Sequence, residues 1–251
     1  LMHSDEPARD EESLDPEDWN APRALGHQML DDMLTYLQTI RDRPIWQPIP
    51  DQIRDQFQEP LPLDRKARST EHVYKAFLLR ILPYPWGNIH PRFWGWVAGT
   101  GTPLGMLAEM LAAGFNSNVW GGNHVAGYVE VQVLNWLKEI FGFPTTATGL
   151  LVSGGSMANL LGLTVARNAR AGFDVRRHGL LAAPKRLRFY GSSKIHSSIQ
   201  KAVELLGLGT EALRKIFVNA EFQIELAELE AAIAEDVAQG YQPAMFSLSR
   251  G

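Results

Sequence analysis

The sequence has no cysteine, which excludes disulfide staples and thiolate chemistry and suits a reducing compartment. It has no basic excess. The formal net charge is −4, so neither a nucleic acid nor an anionic membrane surface is an expected partner. Apolar runs are broken by charge or glycine well before membrane-spanning length, so no transmembrane helix is expected. The first twenty residues are dense in Asp and Glu between Asp5 and Asp18 and carry no apolar core of the signal-peptide kind. A cytoplasmic location is the resulting expectation.

Several reaction classes are absent as motifs. There is no G-x-x-x-x-G-K-[ST], and in Gly99-Thr100-Gly101-Thr102-Pro103-Leu104-Gly105 a leucine stands where the dinucleotide fingerprint needs its third glycine. There is no H-E-x-x-H, and His90, His124 and His196 are isolated from one another with few carboxylates nearby, so no metal is expected. Gly154-Gly155-Ser156-Met157-Ala158 does not supply the G-x-S-x-G of a serine hydrolase.

What is present centres on Leu151 to Leu161. Apolar Leu150 to Val152 runs into Ser153-Gly154-Gly155-Ser156, and helical spacing follows through Met157, Leu160, Leu161, Leu163 and Val165. The pattern reads as strand, tight turn, helix. Two glycines allow close backbone approach, Ser156 adds a hydroxyl, and the first N–H groups of the helix are unpaired donors, which together suit a phosphate. The same residues also serve a plain turn and N-cap.

Along the chain, residues 1–20 read as a flexible acidic arm and residues 21–86 as a helical docking or dimerisation segment. Within that segment, helices are expected over Leu25–Ile40, from Asp51 to before Pro60, and from about Val73 to Ile81, each stopped by prolines. From residue 87 the composition turns to Gly and Trp. Thr102 and Pro103 predict an N-cap and first turn, and a further helix is expected over Tyr128–Phe141; both helices read as buried on both faces. The rest alternates: strand Leu187–Gly191, helix Ser197–Leu206, strand Lys215–Val218, helix Ile224–Ala238, strand Pro243–Ser249. Such alternation gives an α/β class with a parallel sheet covered by helices, whose ligands bind at the carboxyl ends of strands. Ser156 and the segment Gly191–His196 are then expected on one sheet edge.

The blocks His90-Pro91-Arg92-Phe93-Trp94-Gly95-Trp96, Leu107-Ala108-Glu109-Met110-Leu111, Val129-Glu130, Ser153 to Leu160 with Ala166-Arg167, and His196 to Ala202 occur in an order and spacing that resembles the pyridoxal-phosphate-dependent amino-acid decarboxylases of the aromatic-amino-acid and glutamate type. The resemblance spans about residues 25–251. It implies the fold type I architecture of pyridoxal-phosphate enzymes, with residues 87–251 as the first part of the cofactor-binding large domain. It implies pyridoxal 5'-phosphate as cofactor, its phosphate held at Gly155 and Ser156, and His196 stacked on its ring and placed for proton transfer. On the residues alone, His196 reads as a structural histidine at a helix start.

By the same resemblance Trp96 and Trp120 line the substrate pocket, Trp120 from the neighbouring subunit of a homodimer; read alone, both are equally core or interface aromatics. An L-amino acid, decarboxylated through an imine and a quinonoid carbanion, is the implied substrate; Trp96 and Trp120, with no Arg clearly placed for a second carboxylate, favour the aromatic class, and Arg92 is the one candidate for the acidic alternative. The family also uses an aspartate on the pyridine nitrogen and a lysine carrying the cofactor, in segments beyond the point matched by residue 251. The expectation is therefore an N-terminal half that needs a complementing C-terminal segment. A non-catalytic remnant, and a carbon–carbon lyase or aminotransferase on the same fold, are the alternatives.

Overall fold

The computed structural model describes residues 15–58, 68–119 and 123–247. Residues 1–14 of the expected acidic arm, and Trp120, lie outside them. The chain divides into two compact units, Leu1–Asn118 and Val119–Gly251.

The first unit is helical. Helix α1 (Asn20–Gln38) runs into a short 3-10 turn (Ile40–Asp42) and stops ahead of Pro44, followed by α2 (Asp51–Gln56), α3 (Thr70–Arg80) and α4 (Pro103–Phe115). Caps fix two of the starts: Ser69 Oγ accepts the His72 N–H at 3.2 Å, and Thr102 Oγ1 accepts the Gly105 N–H at 3.0 Å, with Pro103 at the first helical position. Asn116, in the left-handed region at φ 43°, ends α4. Tyr36 of α1 and Tyr74 of α3 are buried, and the Tyr74 hydroxyl donates to Asp32 Oδ2 at 2.7 Å.

Burial, and then the Asp32 carboxylate that its hydroxyl meets, push the Tyr74 phenol up to about 12 from an ordinary 10.0. A raised folded-state value means that Tyr74 contributes stability fully below about pH 10, which is lost as pH rises through about 12. At about pH 11, Tyr74→Phe is expected to leave the tyrosinate absorbance of the folded chain almost unchanged while removing one phenolate from the unfolded chain. Equal losses in both states would contradict the burial argument.

The second unit holds α5 (Val125–Phe141), α6 (Gly155–Arg170), a short α7 (Val175–His178), β1 (Leu187–Ser192), α8 (Ser197–Leu205), β2 (Leu213–Ile216), α9 (Leu226–Ala238) and β3 (Gln242–Ser247). The three strands are parallel in the order β2-β1-β3, with Phe189 beside Leu213 and Met245. β1 is the central strand, and its alternation assigns two faces. Leu187 and Phe189 pack with Leu163 of α6 and with Ile199, Ala202 and Val203 of α8. Tyr190 faces the other way, with Ile216, Leu229 and Ala232, under α9. The sheet is thus covered on both sides, as parallel sheets must be.

On the α9 face, Asp236 is completely buried; its Oδ1 accepts from Arg214 Nη1 at 2.9 Å and lies 3.3 Å from Arg188 Nε. The Arg188 guanidinium stacks 3.8 Å over the Tyr241 ring. Burial and the adjacent Asp236 carboxylate push the Tyr190 phenol well above its ordinary range.

Four expectations are corrected. Leu150–Val152 is not a strand: the Leu151 N–H is donated to Glu130 Oε1 of α5 at 3.2 Å rather than to a neighbouring strand, leaving three strands among the described residues. β2 begins and ends two residues earlier than expected, and Val218 instead makes an isolated antiparallel bridge with Ile224, which moves the start of α9 to Leu226. Residue 20 belongs to α1 rather than to an arm. Finally, α4 and α5 bury neither face, for Leu104, Met110, Leu111, Phe115, Val125, Tyr128, Val131, Trp136 and Ile140 are exposed. An apolar pattern records what a helix is suited to bury, not what covers it.

Candidate functional site

The turn into α6 is built by glycine. Gly154, the N-cap residue, has φ 82° and ψ 155°, a region that only glycine enters without strain. No side chain caps α6, so its first amides, at Gly155, Ser156 and Met157, have no partner within the helix. A Cβ on Gly154 or Gly155 would meet nothing within 4 Å, and both Gly155 and Ser156 are exposed. Uncapped amides, the positive end of a four-turn helix dipole, a hydroxyl and open space form a donor set that fits a phosphate dianion. Gly154→Ala is expected to destabilise the second unit by about 1–3 kcal/mol through its backbone alone, since space for the methyl exists. Unchanged denaturant unfolding would contradict that.

His196 stands at the carboxyl side of β1, as the N-cap of α8. Its Nδ1 accepts the Ser198 N–H at 3.2 Å and lies 2.8 Å from Ser198 Oγ. Ser198 Oγ in turn accepts from Asn159 Nδ2 at 2.8 Å. Asn159 is on α6, four residues after Gly155 and hence on the same helical face. The two sequence-expected cofactor elements, Gly155-Ser156 and His196, are therefore brought together inside the second unit through Asn159 and Ser198. The expected strand before Ser153 is not needed for this. His196 is exposed as a residue, whereas Ser198 is 5% exposed.

The Trp-rich loop belongs to the first unit. His90, 2% exposed, shapes it: His90 N–H donates to Gly87 O at 2.9 Å, Phe93 N–H to His90 O at 2.9 Å, and Arg92 N–H to His90 Nδ1 at 3.1 Å. Trp96 has φ 52°, is 81% exposed, and stacks on Trp86 with ring centroids 5.4 Å apart. Among the described residues no group of three His, Asp or Glu could hold a metal ion. No helix there is long and apolar enough to cross a membrane.

Asn159 and Ser198 were not singled out from the sequence. The available signal was positional: Asn159 lies one helical turn past Gly155, and Ser198 lies two residues past His196, within reach of a capping side chain.

A family model described as the pyridoxal-dependent decarboxylase conserved domain matches residues 51–249. An aromatic-L-amino-acid decarboxylase of Bacillus atrophaeus is 32% identical over 225 residues, covering 88% of this chain and 44% of the relative. A tyrosine/DOPA decarboxylase of Papaver somniferum is 29% identical over 244 residues, 92% of this chain and 44% of the relative. The chain thus spans less than half the length of these curated relatives. Among solved structures, Oryza sativa TDC with PLP and tryptamine superposes with a TM-score of 0.80 at 22% identity, over 93% of this chain and 49% of that one. Catharanthus roseus tryptophan decarboxylase in complex with L-tryptophan gives 0.79 at 24% identity, over 92% and 49%. At these identities the structural likeness carries the fold, which is α/β of the type expected.

Proposed function

The chain belongs to the pyridoxal-dependent decarboxylase family, and on that premise we propose that it supplies the phosphate turn and the proton-bearing histidine of an enzyme that decarboxylates an aromatic L-amino acid. The observation that carries this reading is the hydrogen-bonded run Asn159–Ser198–His196 beside the uncapped Gly154-Gly155-Ser156 start of α6. The aromatic class rests on the relatives, which include aromatic-L-amino-acid, tyrosine/DOPA and tryptophan decarboxylases.

In this reading, bound pyridoxal 5'-phosphate supplies an electron-withdrawing ring that accepts the electron pair released when the α-carboxylate leaves as CO2. The chain's own residues do the rest of what is assigned here. The amides of Gly155, Ser156 and Met157 and the Ser156 hydroxyl bind the phosphate. His196 holds a proton at Nε2, the ring nitrogen not engaged by Ser198. As the family resemblance implies, Trp96 and Trp120 are proposed as substrate-contacting residues. The cofactor-bearing lysine and the aspartate on the pyridine nitrogen are assigned to the part of the relatives' length that this chain does not span. Lys194, two residues before His196, takes neither role. A second copy of the chain in a homodimer is the proposed cover for exposed α4 and α5, and the cytoplasm is the proposed location.

Carbon dioxide release tests the reading. With the cofactor present, and a complementing C-terminal segment added, release from an aromatic amino acid exceeding that from glutamate is the expected result. Keto-acid formation without CO2 would replace the decarboxylase by an aminotransferase, and no turnover with any amino acid would leave a non-catalytic chain.

A further inference from the structure

We infer that Asn159 and the Ser198 hydroxyl are positioning groups that reinforce the Nε2–H tautomer which the Ser198 backbone N–H selects in His196, and that tie its ring to the phosphate turn of α6. The inference deepens the functional reading above and rests on it only for what His196 does.

The direction of the hydrogen bonds follows from one donor that cannot be reversed. An Asn amide can be turned over and a hydroxyl can rotate, so the contacts Asn159–Ser198 at 2.8 Å and Ser198–His196 at 2.8 Å are each ambiguous alone. The Ser198 backbone N–H is not ambiguous. It points at His196 Nδ1 at 3.2 Å, so Nδ1 carries a lone pair and the proton of the neutral ring sits on Nε2. With Nδ1 an acceptor, the Ser198 hydroxyl must donate to it. That uses its only proton, so Ser198 Oγ must accept from Asn159, and the amide group of Asn159 is thereby oriented too.

A helix cap alone does not require this arrangement. The cap is complete with the backbone bond from Ser198 to His196. The buried hydroxyl and Asn159 are additional, and they connect the ring to the face of α6 that carries Gly155. Any shift of the phosphate turn is thus transmitted to the ring through two short side-chain bonds, and the Nε2 proton stays on the nitrogen left free.

The test reads the tautomer directly, on the 251-residue chain, from long-range proton–nitrogen correlations of the 15N-labelled histidine rings in their neutral form, with His196→Asn to assign the signal. Wild type is expected to show a pyridine-type Nδ1 and a pyrrole-type Nε2. Asn159→Asp is nearly isosteric but can only accept, so it draws the Ser198 proton, leaves Nδ1 with the backbone N–H alone, and is expected to shift His196 partway toward the Nδ1–H form. Asn159→Ala is expected to give a measurable mixture, and Ser198→Thr, which keeps the hydroxyl, to retain the wild-type pattern. A wild-type Nδ1–H ring, or an unchanged single tautomer in both Asn159 variants, would overturn the inference. Titration of the wild-type chain, with the complementing C-terminal segment present, with pyridoxal phosphate separates the two levels: absent binding counts against the functional reading, while the tautomer result stands or falls by itself.

Discussion

Asp236→Ala is expected to lower the stability of the chain by about 3–5 kcal/mol, the range for removing one partner of a buried charged pair. The reason is geometric. Arg188 and Tyr190 on β1, and Arg214 beside Tyr190 on β2, share the sheet face under α9, and the completely buried Asp236 is the carboxylate that meets both guanidinium groups there. Without it two cations lie against a low-dielectric interface, and among the described residues only the partly exposed Glu235 remains to pair with Arg214. Since small domains are stable by about 5–15 kcal/mol, the loss would approach global unfolding. Urea unfolding of Asp236→Ala and Asp236→Asn checks this, the amide being the milder change because it keeps the volume. A loss below about 1 kcal/mol for the alanine would show that the cluster is far better solvated than its burial indicates.

Gly155→Asp is expected to move folding and cofactor binding in opposite directions. A carboxylate in the first turn of α6 favours the positive end of the helix dipole, by about 0.3–1 kcal/mol, and the space beside Gly155 is open, so stability should hold or rise slightly. The same carboxylate occupies the anion site and repels the phosphate. At about 4 Å and an effective dielectric near 20 the repulsion reaches roughly 4 kcal/mol per pair of unit charges, which sets an expected loss of pyridoxal phosphate affinity of roughly 30- to 900-fold. Thermal unfolding and a binding titration on the same preparation check both signs. Weaker binding accompanied by an equal loss of stability would mean that the turn is merely structural.

How much of this was legible in the sequence depends on the range of the interaction. Signals local to a few residues were readable: Thr102-Pro103 starts α4, Gly142 ends α5, and the Gly154-Gly155-Ser156 turn starts α6. The alternation after residue 187 gave the parallel sheet because each element carries its own period. The strand expected at Leu150–Val152 failed because the Leu151 N–H is taken by Glu130, twenty-one residues earlier, and an apolar run cannot announce that. Asp236 was invisible for a similar reason. It sits in α9 among Glu225, Glu228, Glu230 and Glu235, and only the register of two remote strands makes it the buried one. At the site, the types of the outer residues, Ser156 and His196, marked their chemistry, whereas Asn159 and Ser198 are ordinary helix-start residues whose contact across 39 positions belongs to the packing of α6 on α8.

The start of α6 is proposed as the phosphate site for the cofactor. The measurement that meets it most directly is equilibrium binding of pyridoxal 5'-phosphate against pyridoxal, which lacks only the phosphate, to the wild-type chain and to Gly155→Asp. The account predicts a strong preference for the phosphorylated form in the wild type, on the order of 100-fold from a few charge-assisted hydrogen bonds, and loss of that preference in the variant. Equal affinity for the two compounds in the wild-type chain would contradict it.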